Sequence, residues 1–400
     1  MEKVIVEEYQ EMELTKVDGN LEILDGATVI VSPNVDYLAI SGDLISNGDV
    51  VIKGSIIASG LRHKNGYLEI EGDAKVKEIH VSSGRMRNGS KLIVIGNLES
   101  IEAEIDGSLE VEEDFICKDV EIMGSCKVYG EATIEEYEVS GSAKHGKDLK
   151  AKDLEVNGSL KASQSVFVEE NFEISGSAKI SDTLKASKVN VGGSFACSTL
   201  TASEVDVGGS VKIDRGEIEE KINVGGSFRC GEALKVPKAS CNGSCSFGDG
   251  SQVYMLNING STKVGSDFVF QTIKVNGAFH FETNASGDTL IINGATQGEG
   301  LLKLKEKLSV NGSLQTEKVE ADEVDISGSF DGEEIKARFI QIGRNSRVKG
   351  ALIAEKVIVE EEARVENIIA DEVELGENVR ALKVQAKKLN ADPSARYRAD

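Results

Sequence analysis

The strongest constraint on this chain is a short phrase that recurs through most of its length: an apolar residue, any residue, Gly and then Ser, with Ala278 and Ala295 in place of Ser in two copies. Taking the glycine as marker, every interval between successive copies is 16, 17 or 18 residues. A fixed period of this kind indicates a repeat architecture in which each copy is one structural unit. The marker glycines are Gly107, Gly124, Gly141, Gly158, Gly176, Gly193, Gly209, Gly226, Gly243, Gly260, Gly277, Gly294, Gly312 and Gly328.

Each repeat contains three pairs of apolar residues, and the two members of a pair stand two positions apart. In residues 176–192 the pairs are Ala178 and Ile180, Leu184 and Ala186, and Val189 and Val191. This period predicts short strands with one buried face. Three such strands per repeat predict an all-β fold, a three-sided parallel β-helix (β-solenoid) with about 17 residues per turn and roughly twenty turns. One side is a residue shorter than in a left-handed hexapeptide solenoid, which favours an irregular right-handed coil.

The regularity of the repeat divides the chain into five segments. We expect a lead or cap over 1–16, irregular turns with longer loops over 17–104, the regular solenoid over 105–330, looser turns over 331–378, and a basic cap or tail over 379–400. The last segment holds six Lys or Arg against two Asp. We expect it to be a flexible tail that touches the acidic body of another subunit. The alternative is a short basic helix over 380–389 that lies on the last turn.

The positions around the marker have separate expected roles. The glycine is expected to turn a corner with positive φ, which costs least without a Cβ. The residue two before it is Val, Ile or Cys in all fourteen repeats and is predicted to point inward. In five successive repeats an asparagine precedes the marker, and we expect these side chains to hydrogen-bond from turn to turn. These asparagines are Asn242, Asn259, Asn276, Asn293 and Asn311.

Charged residues occupy two outward positions that flank the marker. Three residues before it the chain places Glu104, Glu121, Glu138, Glu155 and Glu173, and then Asn190, Asp206 and Asn223. Three residues after it come Lys127, Lys144, Lys161, Lys179, Lys212 and Arg229. One interpretation is that the two signs offset each other across the corner and keep the surface soluble. The other is that complementary columns set the register between neighbouring molecules, which makes the basic residues lateral contacts.

Composition excludes several classes of function. The formal net charge is −23. This charge argues against a protein that binds nucleic acid or an anionic membrane, because both partners are bound through a basic surface. The N-terminus is acidic and lacks the apolar region of a signal peptide, and no apolar run reaches the roughly 18 residues of a membrane helix. The sequence therefore predicts a cytoplasmic protein without a membrane anchor.

Candidate catalytic and ligating residues all have structural interpretations. The six cysteines fall at inward positions, where Cys acts as a small buried hydrophobe; they are Cys117, Cys126, Cys197, Cys230, Cys241 and Cys245. Of the four histidines, His145 falls at an inward position and His280 at an outward one, while His63 and His80 lie in the irregular turns. No zinc spacing, phosphate loop or triad pattern is present. The sequence predicts no catalytic residue, no cofactor and no metal.

The repeats resemble those of the bactofilin family of polymer-forming cytoskeletal proteins. The resemblance is strongest over 105–330, in phrases such as VNGSLKAS (156–163) and ISGSAKISDTLKAS (174–187). It implies a right-handed three-sided β-helix that assembles end to end into filaments without nucleotide. It also implies a role in cell shape or in scaffolding other proteins.

The predicted function is that of a non-catalytic structural protein that self-associates into filaments or scaffolds. The expected partners are further copies of the same chain and protein clients. One alternative is a monomeric solenoid rod whose charged faces bind partner proteins. A carbohydrate-active β-helix enzyme is the second alternative, and its paired acids would interrupt the repeat, best in the irregular region 54–104.

Overall fold

The computed structural model describes residues 2–82 and 89–399. All regular secondary structure in these residues is β-strand. The chain forms two compact units, Met1–Ala202 and Ser203–Asp400. In each unit the strands pair in parallel and stack as a β-solenoid with about 17 residues per turn. The turns number about 23, where the sequence predicted roughly twenty. The predicted fold class is confirmed, and the right hand of the coil stays a prediction.

The strands of the first unit are short, and most contain three to ten residues. They are β1 (Glu2–Val6), β2 (Glu11–Leu14), β3 (Lys16–Val17), β4 (Gly19–Ile23), β5 (Thr28–Val31), β6 (Tyr37–Asn47), β7 (Val50–Lys53), β8 (Ser55–Lys64), β9 (Tyr67–Ile70), β10 (Ala74–Ser82), β11 (Lys91–Val94), β12 (Leu98–Glu99), β13 (Glu102–Ile105), β14 (Ser108–Val111), β15 (Phe115–Ile122), β16 (Ser125–Val128), β17 (Ala132–Val139), β18 (Ser142–His145), β19 (Leu149–Val156), β20 (Ser159–Ala162), β21 (Val166–Val168), β22 (Asn171–Ile174), β23 (Ser177–Ile180) and β24 (Thr183–Val191). Strand β25 (Ser194–Val207) contains the boundary between the units.

The last four strands of the second unit contain 12 to 14 residues each. They are β26 (Ser210–Val224), β27 (Ser227–Cys230), β28 (Leu234–Cys241), β29 (Ser244–Phe247), β30 (Gln252–Ile258), β31 (Ser261–Val264), β32 (Phe268–Val275), β33 (Ala278–Phe281), β34 (Ala285–Ile292), β35 (Ala295–Gly298), β36 (Leu301–Val310), β37 (Ser313–Gln315), β38 (Lys318–Glu320), β39 (Glu323–Ile326), β40 (Ser329–Ile342), β41 (Arg347–Val359), β42 (Arg364–Leu375) and β43 (Arg380–Ala391).

A single turn shows how the apolar pairs produce three sides. Strand β16 forms the first side, and β17 supplies the second and third. Burial alternates along β17 except at Glu135 and Glu136, which are both exposed. Two consecutive outward residues shift the alternation by one position, so the chain turns a corner and Tyr137 points inward again. The three apolar pairs of each repeat therefore bury onto one shared core.

The inward column two residues before the marker is confirmed along both units. All fourteen residues of this column are buried, with at most 3% of the surface of each exposed. Stacked Val and Ile side chains suit this position because branched residues pack well on a pleated surface. Large rings fill wider parts of the core in the second unit, where Phe247 lies 6.5 Å from Phe268 and Phe268 lies 6.3 Å from Phe279 between ring centroids.

The marker glycines are required for a different reason from the one predicted. Among the described residues none of them has a positive φ, whereas glycines of the irregular turns such as Gly26 and Gly66 do. At the corner, the N–H groups of Ser140 and Gly141 both donate to the carbonyl of Ile122, at 2.9 and 2.8 Å. A Cβ on Gly141 would overlap the carbonyl oxygen of Gly124 in the turn before. Close backbone approach, not a left-handed conformation, therefore requires glycine.

The end segments are built into the solenoid. Strands β1, β2 and β3 pair with β4, β5 and β6, so residues 2–17 form a first turn. The next turns include long ones, since Thr28 pairs with Val51 and Ala74 with Leu98. The helix considered over 380–389 is wrong, because β43 pairs along its whole length with β42. The segment is not a free tail either, and isolated bridges at Arg396 and Ala399 continue the pairing.

Candidate functional site: columns of like charge

A face of the first unit carries two parallel columns of carboxylates, which we call the acidic face. Cα pairing places the predicted glutamates on successive turns, and a second acidic column lies two residues earlier on the same face. The columns are Glu104, Glu121, Glu138, Glu155 and Glu173, and Glu102, Asp119, Glu136 and Asp153. Turns repeat every ~4.8 Å, so like charges stand close together. At its first turn, His80 Nδ1 lies 2.9 Å from Glu104 Oε2.

The predicted basic residues of the first unit also stack on successive turns. This lysine column consists of Lys127, Lys144, Lys161 and Lys179. It begins beside Glu110, which lies 3.2 Å from Lys127 Nζ and 2.5 Å from Lys91 Nζ. The hydrogen bond from Lys91 lowers the pKa of Glu110 to about 2, and Tyr129 and Lys127 act in the same direction. Among the described residues no ion pair joins the lysine column to the acidic face.

The last two predicted lateral residues lie in the second unit. Lys212 and Arg229 are Cα partners on adjacent turns, and Ser246 follows them. The basic run is therefore short here.

A third column of like charge, which sequence reasoning missed, lies in the last turns of the second unit. We call it the arginine column: Arg347, Arg364, Arg380 and Arg396. All four side chains are exposed, and they line a shallow groove with Leu382 and Tyr397. Leu382 is 69% exposed, which is unusual for a leucine on a sheet of charged residues. The signal in the sequence is an arginine every 16 or 17 residues after the last marker glycine.

Other charged columns of the same turns alternate in sign. Lys388 Nζ lies 2.6 Å from Glu372, and Lys356 lies between Glu372 and Glu374, 2.6 Å from the latter. Arg338 likewise pairs with Asp322, at 3.0 Å. In the described part of the chain, no member of the arginine column forms an ion pair. The arginine column, the lysine column and the acidic face thus differ from these parts of the surface, where turn-to-turn neighbours have opposite charge.

The buried histidine of the first unit belongs to the core. His145 Nε2 lies 3.0 Å from the Tyr137 hydroxyl, the rings meet edge to face, and Nδ1 has no hydrogen-bond partner. Burial lowers the pKa of His145 to about 4. By contrast, both nitrogens of His63 have partners, Ser46 Oγ at 3.0 Å and the Gly66 carbonyl at 3.1 Å. His280 is half-buried on the outward side, as predicted.

The six cysteines, all of them in the described part of the chain, are buried and form no disulfide with one another, which confirms their predicted inward placement. Burial raises the pKa of Cys126 to about 12 and that of Cys230 to about 11. Cys241 and Cys245 flank one corner and their thiols are in contact, which together with burial raises the pKa of Cys245. The buried thiols of Cys126, Cys230 and Cys245 are held in the neutral form and are poor nucleophiles, so they act as core residues. The hydrogen bond with Cys245 lowers the pKa of the Cys241 thiol to about 7.

The described part of the region considered for carbohydrate chemistry contributes Glu102 and Glu104 to the acidic face. Residues 83–88 of the predicted 54–104 region lie outside the described residues. Carboxylates of the acidic face recur on every turn from Glu102 to Asp153, whereas a glycosidase needs two carboxylates with distinct environments. The described residues contain no group of three or more His, Cys, Asp or Glu that is arranged to hold a metal. They also contain no helix that is long and apolar enough to cross a membrane.

These observations define the class of protein: a parallel β-solenoid whose outward surface is organised in charged columns. The family model described as "Bactofilin: Polymer-forming cytoskeletal" matches residues 267–369. This match confirms the resemblance seen in the sequence, and it extends beyond the regular repeats to Arg347 and Arg364. No curated protein and no solved structure matches the chain.

Proposed function

We propose that this chain is a non-catalytic structural protein of the cytoplasm that self-associates into filaments or scaffolds. The observation that carries the proposal is the match of residues 267–369 to a polymer-forming cytoskeletal family. The uniform parallel stacking of the described turns supports it, because a turn that stacks on its neighbour offers the same surface to a turn of another molecule. Protein clients of such a scaffold would bind its outward faces.

The first turn offers a contact for end-to-end assembly. Among the described residues, β1 pairs with β4 and β2 with β5, and neither has a strand on its other edge. Unpaired N–H and C=O groups at a sheet edge can accept another strand. Alternate residues of a parallel strand bond to opposite neighbours, and Val6 accepts a hydrogen bond from Leu24 on the β4 side. The N–H of Ile5 therefore faces the open edge.

Negative-stain microscopy of the purified full-length protein, without nucleotide, tests this proposal. We expect filaments whose length increases with protein concentration. The variant Ile5→Pro removes the outward N–H while keeping the β4 side, since proline is tolerated on edge strands. It should shorten or abolish filaments.

The matched control is Ile5→Thr, which removes a similar apolar surface and keeps the N–H. It should assemble like the parent protein. Single particles of uniform size at every concentration would contradict self-association and favour the monomeric scaffold. Equal assembly by the proline variant would move the contact away from the β1 edge.

A further inference from the structure

The arginine column has the chemistry of an interaction surface. Like charges directly opposite each other on adjacent strands destabilise a sheet, and four successive turns repeat the same charge here. The chain avoids this arrangement nearby, where Glu372 separates Lys356 from Lys388. Guanidinium groups bind carboxylates through two parallel hydrogen bonds. An exposed row of them indicates a partner that carries a row of acidic groups.

The exposed apolar side chains of the same groove also indicate a protein partner. Leu382 is 69% exposed and Tyr397 is 39% exposed, and both line the groove beside the arginines. Arginine and tyrosine are enriched in protein interfaces, where their long side chains cover area and form hydrogen bonds.

The acidic face of the same protein matches the arginine column in spacing. Both surfaces lie on parallel sheets, so their charges recur at the same ~4.8 Å interval. Each of four stacked arginines can therefore lie opposite a carboxylate on one of four successive turns. Of the acidic face, Glu121 and Asp119 form no ion pair with another described residue. This agreement in charge and period favours a second copy of the chain as the partner.

We propose that the arginine column of one molecule docks on the acidic face of a second molecule and joins the two side by side. The proposal rests on the self-association proposed above and adds a lateral contact to it. The lysine column is the competing basic surface, as the sequence predicted. Its first member, Lys127, already pairs with Glu110, and its ammonium groups bind as point charges without the bidentate geometry.

Mixing of charge-reversed full-length proteins tests the contact. The arginine variant is Arg364→Glu with Arg380→Glu, and the acidic variant is Glu121→Arg with Glu138→Arg. Each alone should raise the concentration needed for side-by-side association at low salt by about tenfold or more. An equimolar mixture of the two variants should associate side by side at the concentration of the parent protein, because each protein keeps the surface that the other lacks. Sedimentation and negative-stain images separate lateral bundles from single filaments.

The matched control reverses the same number of charges on the competing surface, Lys144→Glu with Lys161→Glu. It should associate like the parent protein, and circular dichroism should show the same fold for all variants. Loss of bundles in this control but not in the arginine variant would overturn the proposal, as would a mixture that fails to recover. Single filaments that never bundle would overturn this lateral contact and leave filament formation intact. Lateral pairs without filaments would support the lateral contact and contradict filament formation.

Discussion

At the scale of single residues, the corners show that backbone crowding selects glycine. At most of the marker glycines, as at Gly141, a Cβ would overlap the carbonyl oxygen of the marker one turn before, at a point where two N–H groups share a single acceptor. The crowding is local to one position of the phrase. Where the phrase contains two glycines, as at Gly192 and Gly193, only the second is crowded.

The adjacent pair allows a matched test of this explanation. A Cβ on Gly193 would overlap the carbonyls of Gly176 and Ser175, whereas a Cβ on Gly192 would come no closer than 3.6 Å to any atom. We expect Gly193→Ala to lower the free energy of unfolding by about 3 kcal/mol, as overpacking does. Gly192→Ala should change it by less than about 1 kcal/mol. Urea denaturation followed by circular dichroism measures both, and equal effects would contradict the crowding explanation.

His145 should make the first unit sensitive to acid. Its pKa falls from 6.5 to about 4 on burial, so at intermediate pH the unfolded state binds more protons than the folded state. The stability that depends on neutral His145 is complete above pH 6.5 and is lost as the pH falls toward 4. The loss relative to His145→Leu should reach about 3 kcal/mol.

Urea denaturation of both proteins at several pH values between 7 and 4 isolates this contribution. The loss of the Tyr137 contact shifts the variant by a constant amount and leaves the pH dependence to be compared. Parallel stability curves for the two proteins would show that His145 does not titrate in this range.

At the scale of elements, the predicted asparagine column is present in the second unit. Successive side-chain amides donate to the amide oxygen one turn earlier, at 2.8 to 2.9 Å from Asn259 through Asn311. The amides lie at the exposed corner, so each bond competes with water and contributes modestly. The column reinforces the same register that the backbone ladder sets.

The number of bonds per residue predicts the effect of breaking this column. Asn276 makes two bonds within it, to Asn259 and from Asn293, whereas Asn311 at its end makes one. Asn276→Ala should lower the free energy of unfolding by about 1 to 2 kcal/mol and Asn311→Ala by about half as much. Calorimetric melting of both variants measures the difference. A larger effect at Asn311 would show that the bonds do not act individually.

At the scale of the whole molecule, charge is distributed by column. The net charge of −23 includes the acidic face, and the arginine column concentrates the opposite sign on other turns. Repulsion within such columns opposes folding of the separate molecule, while attraction between columns favours association. Salt screens both effects.

Salt should therefore act in opposite directions on folding and on association. Raising the salt from about 0.02 to 0.3 M shortens the screening length to within two turns. We expect the melting temperature of the dilute protein to rise by a few degrees, and lateral bundles to dissolve. The variant Arg364→Glu with Arg380→Glu gives two of the three neighbour pairs in its column opposite charges and should show a weaker rise. Bundles that persist in high salt would contradict an electrostatic lateral contact.

Much of this fold could be predicted because the same pattern of apolar residues recurs in every turn. The apolar pairs predict the strands, and the inward Val, Ile and Cys column predicts the core. Other features depend on which residues meet between turns. His145 lies beside Tyr137 across the Gly141 corner, and the basic C-terminal segment pairs as β43 because β42 offers it a ladder. Charge composition alone favoured a tail there.

The sequence by itself determined a parallel solenoid, its period and its inward residues, because a 17-residue repeat has one way to bury three apolar pairs per turn. Only the tertiary structure decided the neighbours of each residue between turns. Turn length varies along the chain, from Ser125 pairing with Ser142 to Ala74 pairing with Leu98, so sequence distance does not fix which side chains stack. The crowding at the marker glycines and the arginine column both follow from that stacking.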